Sequence, residues 1–146
     1  MKKITNFFIL LTLFTFSKSA ISATISANGT GNWNVGTTWV GGIIPGPTDD
    51  VILPDLGIAY TITLTDNRTC ATLTLGNSLT TGAGQHIALN IAANNTLNVN
   101  GLITYNQPTS NNNNYIIDAE DGTLNANDVT MLGAGSNSRD AHLRVN

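Results

Sequence analysis

Leu89-Asn90-Ile91-Ala92-Ala93-Asn94-Asn95-Thr96-Leu97-Asn98-Val99-Asn100 is followed by a second copy, Ile116-Ile117-Asp118-Ala119-Glu120-Asp121-Gly122-Thr123-Leu124-Asn125-Ala126-Asn127. The offset is 27 residues, and Thr96-Leu97-Asn98 recurs as Thr123-Leu124-Asn125 without a gap. One step forward reaches Leu143-Arg144-Val145-Asn146, and one step back from Leu89 reaches Ile62-Thr63-Leu64-Thr65. Thr72-Leu73-Thr74-Leu75-Gly76 joins the series over Thr96 to Asn100 only after a slip of about three residues. A fixed period in the twenties is the mark of a solenoid.

Within each copy the apolar residues alternate, as in Ile62/Leu64, Leu73/Leu75, Leu89/Ile91 and Leu97/Val99. Alternation is the strand period, with one face buried. One such coil cannot bury its apolar face alone, so the coils must stack in parallel register. Stacking places Leu124 over Leu97, Asn125 over Asn98 and Asn127 over Asn100. Asn amides in a column can bond to one another, and Asn accepts the left-handed backbone of a tight corner. The expectation is an all-β, right-handed parallel β-solenoid. A β-sandwich is the competing architecture, but it has no need of a constant 27.

Asp118 breaks the pattern, falling where Ile91 and Val145 stand. Either a carboxylate faces the core or the register slips so that Tyr115, Ile117 and Ala119 face in. The slip is favoured, because an unpaired buried carboxylate is costly.

Composition agrees. Asn and Thr make up more than a quarter of the 146 residues, while charged residues are only 10%. With six Lys and Arg there is no basic face for nucleic acid. Lys2 and Lys3, the apolar run Phe7 to Phe16, and the small residues Ser17, Ser19, Ala20, Ser22 and Ala23 follow the plan of a secretory signal peptide. Cleavage after Ala20, Ser22 or Ala23 would leave a mature chain of three basic and nine acidic residues that spans no membrane. The organisation read from the sequence is a signal peptide over 1–23, an N-terminal cap over 24–58 and coils over 59–146. The chain is expected to be secreted or on the outer cell surface.

The segment ahead of the coils holds both tryptophans, Trp33 and Trp39, in a Gly/Pro-rich setting suited to covering the end of an apolar core. Asp49 and Asp50 precede the strand Val51-Ile52-Leu53, where Asp can close a turn. The string W-V-G-G-x-x-P-x-x-x-D-D-V-x-L from Trp39, then Tyr60-Thr-Ile-Thr-Leu and Cys70-Ala-Thr-Leu-Thr-Leu-Gly, resembles the opening of large surface proteins exported by type IX secretion. It is also similar to the start of the eight-glycine domain of secreted β-helical proteins. The resemblance covers Asn32 to about Gly76. It implies a capped parallel β-helix of an adhesin, a surface-layer component or a carbohydrate-acting enzyme. Such cargo ends in a sorting tail, so the resemblance implies an N-terminal piece that continues into further coils.

Candidate chemistry is sparse. Asp118, Glu120 and Asp121 precede Gly122 in an oxygen-rich stretch that could hold calcium, though without EF-hand spacing. Otherwise no cofactor is expected. Arg139-Asp140-Ala141-His142-Leu143-Arg144 gathers the polar groups of the last coil, in the style of β-helical lyases and hydrolases. Asn28, Asn67 and Asn94 begin glycosylation sequons. Tyr60, Tyr105 and Tyr115 are too scattered to suggest a sugar-stacking row, and Cys70, the only cysteine, reads as a buried packing residue. The Thr runs at 61–65 and 72–74 suggest an ice-binding surface that later coils do not continue. The function expected is an adhesin-like structural segment without its own catalysis, with cell-surface or extracellular polysaccharide as partner. The alternative is the N-terminal part of a carbohydrate-active enzyme.

Overall fold

A computed structural model describes residues 21–76, 86–106, 114–119, 121–132 and 140–145. The signal-peptide reading, Glu120 and Arg139 therefore lie outside the described residues, apart from Ile21 to Ala23. The strands are β1 (Thr24–Ser26), β2 (Gly31–Asn32), β3 (Asp50–Leu53), β4 (Tyr60–Leu64), β5 (Arg68–Cys70) and β6 (Thr72–Leu75). Then come β7 (His86–Ile91), β8 (Thr96–Tyr105), β9 (Asn114–Ala119), β10 (Thr123–Met131) and β11 (Asp140–Val145). Two short 3-10 turns, Gly36–Thr38 and Val40–Gly42, separate β2 from β3.

Successive strands alternate between two sheets, except that β5 and β6 share one. One runs β1-β3-β6-β8-β10, with β5 also on β8, and the other runs β2-β4-β7-β9-β11. Every ladder between these strands is parallel. This is a β-solenoid; a sandwich would be built of antiparallel neighbours. Alternation does the burying. Val51 and Leu53, Ile62 and Leu64, Leu73 and Leu75, and Leu97 and Val99 all point into one core. Each fully buried aliphatic contributes roughly 1.5–3 kcal/mol, which offsets the cost of ordering the chain.

The 27-residue step holds between Ile62 and Leu89 and between Leu97 and Leu124. From β7 to β9 and from β9 to β11 it slips by one. Leu89 pairs with Ile117, not Ile116, and Ile117 pairs with Leu143. The slip puts Tyr115, Ile117 and Ala119 in the core and leaves Asp118 outside, the less costly of the two arrangements.

A second register departs from expectation. Thr72–Leu75 does not lie over Thr96–Asn100; Leu73 pairs with Ile103 and Leu75 with Tyr105. Arg68–Cys70 takes the place over Leu97–Val99. The reason is a bend within the coil. Gly101 N donates to Ala71 O at 2.7 Å, and a Cβ at Gly101 would lie 2.9 Å from that oxygen. Two short strand halves therefore stack where the sequence suggests one. In β10 the same bend is one residue shorter, with Ala126 opposite Val99 and Asp128 opposite Leu102.

The ladder also reaches into residues 24–58, the stretch read as a cap. Thr24 to Ser26 pair with Asp50 to Ile52, and Asp50 to Leu53 pair with Thr72 to Leu75. The excursion between β2 and β3 leaves the stack. It carries Trp33 and Trp39, both buried, in an edge-to-face pair with centroids 5.0 Å apart. Trp39 Nε1 donates to Trp33 O at 2.7 Å, and an antiparallel bridge ties Trp39 to Ala27. Asp49 closes the excursion. One oxygen accepts from Gly46 N at 2.8 Å and the other from Ala23 N at 3.1 Å.

Candidate functional site

The parallel register turns outward side chains into columns. On the sheet containing β4, β7, β9 and β11, Thr63 pairs with Asn90, Asn90 with Asp118 and Asp118 with Arg144. Asp118 and Arg144 form an exposed ion pair at 3.5 Å. Thr63, Asn90 and Asp118, together with Ile91, Ala92, Ala93 and Asp121, line a groove of about 290 Å³. Two of the three calcium candidates thus share one groove. Among the described residues, no group of three or more His, Cys, Asp or Glu gathers closely enough to hold a metal ion.

A second column lies on the opposite sheet at its bend. Asn125 Nδ2 donates to Asn98 Oδ1 at 2.9 Å, so the expected amide stack forms. Asn127 Nδ2 reaches the Asn100 main-chain carbonyl instead of its side chain. The two rungs line a shallow groove of about 260 Å³. Corner geometry follows the same logic. Asn94 turns with φ 64°, the one positive φ of a non-glycine among the described residues.

Thr74, Thr104 and Thr130 form a further outward column that sequence reading missed, because the bend hides which strands pair. Two residues before Thr104 and Thr130, Leu102 pairs with Asp128, so the threonines are not continued sideways there.

Other candidates are used internally. Asp50 Oδ1 accepts from the Thr72 hydroxyl at 2.6 Å, linking two rungs. Asp66 pairs with Arg68, whose Nε donates to it at 2.8 Å. Asn67 Oδ1 accepts from Thr96 N at 2.8 Å. Tyr60, Tyr105 and Tyr115 are buried, and the first two donate to Pro54 O at 2.6 Å and His142 O at 3.1 Å. None of the three rings offers a face to a sugar. Cys70 is buried and unbridged, and burial, helped by the charge of Asp50, pushes its thiol up to about 12. A thiol held neutral is a poor nucleophile. Of the Arg139 to Arg144 stretch, His142 lies beside Ile116 in the ladder and Arg144 beside Asp118.

Leu97 is fully buried, and Leu124 above it is partly buried against the same core. Compared with protein families, with curated proteins and with solved structures, the chain matches none.

Proposed function

We propose that the chain is a secreted or cell-surface, adhesin-like solenoid segment whose role is to hold a rigid polar surface, without catalysis of its own. The observation that carries this reading is the use made of the polar groups. Asp50 to Thr72, Asn98 to Asn125 and Asp118 to Arg144 each join one coil to the next. Side chains spent on holding neighbouring coils leave a continuous wall of Thr, Asn and Asp in place of a reactive cluster. The N-terminal Lys2, Lys3 and Phe7 to Phe16 pattern supports export, and further coils would lengthen the same wall. Cell fractionation with N-terminal sequencing tests it. Exported protein should begin between Ile21 and Thr24, and cells lacking the gene should adhere less to polysaccharide-coated surfaces. Intact Met1 in an intracellular fraction, or glycan turnover by the purified chain, would overturn the reading.

A further inference from the structure

The groove beside Thr63, Asn90 and Asp118 is assembled by features that have no part in burying the core. Its floor is one side chain from each of three successive rungs, spaced by the strand separation of about 4.8 Å. Its wall is the corner after β7. There Ala92 N donates to Leu64 O at 3.0 Å, Asn94 takes its positive φ, and Asn95 Nδ2 donates back to the carbonyls of Ala92 and Ala93. The facing corner, which carries Asp121, closes against this wall because Gly122 has no side chain. A Cβ there would lie 2.4 Å from Ile91 Cγ2 and 2.7 Å from Ile91 O. Small Ala92 and Ala93 keep the space between the corners open.

We propose that this groove binds an uncharged, hydroxyl-rich glycan running along the Thr63–Asn90–Asp118 column. The lining is rich in acceptors: two carboxylates, an amide oxygen and a hydroxyl. It therefore suits a ligand that brings donors on every unit of its length. Asp118 is offset by its ion pair with Arg144, so Asp121 carries the remaining negative charge of the lining, and it disfavours a polyuronate or sulfated chain, since like charges repel. A peptide strand is disfavoured for another reason. β4, β7 and β9 are each paired on both sides, so the groove offers no open edge to which a peptide backbone could add. The volume of about 290 Å³ is at the small end of ligand pockets, which run from about 300 Å³ upward, and no ring stacks on the ligand. Each contact is weak, and useful affinity comes from repeated engagement of a long chain.

The inference rests on the reading of the chain as an exposed surface protein, and the experiment separates the two. The exported chain, labelled with 15N, is titrated with cellopentaose, mannopentaose and pentagalacturonate. At least one neutral pentasaccharide should shift the amides of Asn90, Ala93 and Asp121, and the uronate should shift none. Asn90→Leu should weaken that binding at least tenfold, with an unchanged melting temperature. Asp121→Asn, which keeps the shape of the wall, should admit the uronate. The proposal is overturned if neither neutral sugar shifts those amides, or if Asn90→Leu binds as before. It is also overturned if calcium chloride alone gives the same shifts and EDTA abolishes those caused by sugar, which would make the groove a cation site. Loss of sugar binding in Asn90→Leu with export and adhesion intact would overturn the glycan groove as the adhesive contact and leave the surface-protein reading standing. Failure of export would overturn that reading alone.

Discussion

Two regions of the stack are built from the same kind of residue and are buried to different degrees. At the β1/β2 end, the excursion between β2 and β3 brings two indole rings against the core, and Trp33 and Trp39 are 0% and 1% exposed. At the β10/β11 end the inward column continues with Leu124, Val129 and Leu143, only partly buried, while Met131 beside Tyr105 is 44% exposed. A column position therefore does not fix the worth of a side chain. Leu97 has neighbours on both sides and is fully buried; Leu124, one rung on in the same column, is not. In a solenoid each coil draws its burial from the next one, so energy follows place along the axis as much as pattern in the sequence.

The sharpest way to break this comparison is to put one carboxylate at each place. Leu97→Asp buries an unpaired charge between two rungs. It should cost several kcal/mol, a large part of the roughly 5–15 kcal/mol by which domains are stable. Leu124→Asp can turn its carboxylate to water and should cost about 1–2 kcal/mol. Urea denaturation of both variants measures the gap. Equal losses would mean that Leu124 is covered as well as Leu97.

The tryptophan pair is the next largest effect. Truncating either ring to Ala should cost about 3–5 kcal/mol through cavity formation. The two indoles differ in a finer way. Trp39 Nε1 is bonded to Trp33 O, whereas Trp33 Nε1 is buried with no partner among the described residues. Trp39→Phe should then be the more damaging, since it strands a carbonyl at about 1–3 kcal/mol. Trp33→Phe removes an unpaired donor and should cost less. Thermal melts of the two Phe variants check the order, and the reverse order would show that ring volume decides at this end.

These contrasts mark how far the sequence could be read. The strand period, the parallel stacking, the 27-residue step at Leu97 and the slip that frees Asp118 were legible, because alternation and the cost of a buried carboxylate are local matters. The bend at Ala71 and Gly101 was not. It depends on a main-chain bond between coils, and it moved Thr72–Leu75 from one half of β8 to the other. The same blindness hid the Thr74–Thr104–Thr130 column. Trp33, Trp39 and the Gly/Pro run dominate residues 24–58 and suggest a cap, yet β1 and β3 inside that stretch are rungs of the ladder. The groove was half visible, as Asp118 and Asp121; Thr63 and Asn90 join them only once the register is known.

A smaller effect, read through pH, belongs to the interior alone. Burial, with a lesser contribution from the charge of Asp50, raises Cys70 from 9.0 to about 12. Burial, with Asp55 behind it, raises Tyr115 from 10.0 to about 12. The folded state holds both protons more tightly than the unfolded chain does. Their contribution to stability is present below the unfolded values and is lost as pH climbs toward about 12. The melting temperature should be flat near neutrality and fall above pH 9, less steeply in Cys70→Ala. Iodoacetamide should label Cys70 only after denaturant is added. Labelling of the native protein would mean that the Arg68–Cys70 half-strand opens readily.

The smallest effect tests whether the outer wall or the core holds the β10/β11 coil in place. Asn125 donates to Asn98 at 2.9 Å on an exposed surface, where water offers the same bond. Such a contact should be worth no more than about 0.5–1 kcal/mol. Asn125→Ala should therefore lower global stability only slightly, and the double variant with Asn98→Ala should show a coupling of about 0.5 kcal/mol at most. Hydrogen exchange gives the more telling readout. If apolar burial of Leu124, Val129 and Leu143 secures this coil, the amides of β10 and β11 keep their protection when Asn125 is lost, and lose it in Leu124→Ala. Should the amide variant instead release β10 and β11 as a unit, the partly buried core at that end contributes less than the polar wall. The difference between the two regions would then lie in what kind of contact secures each.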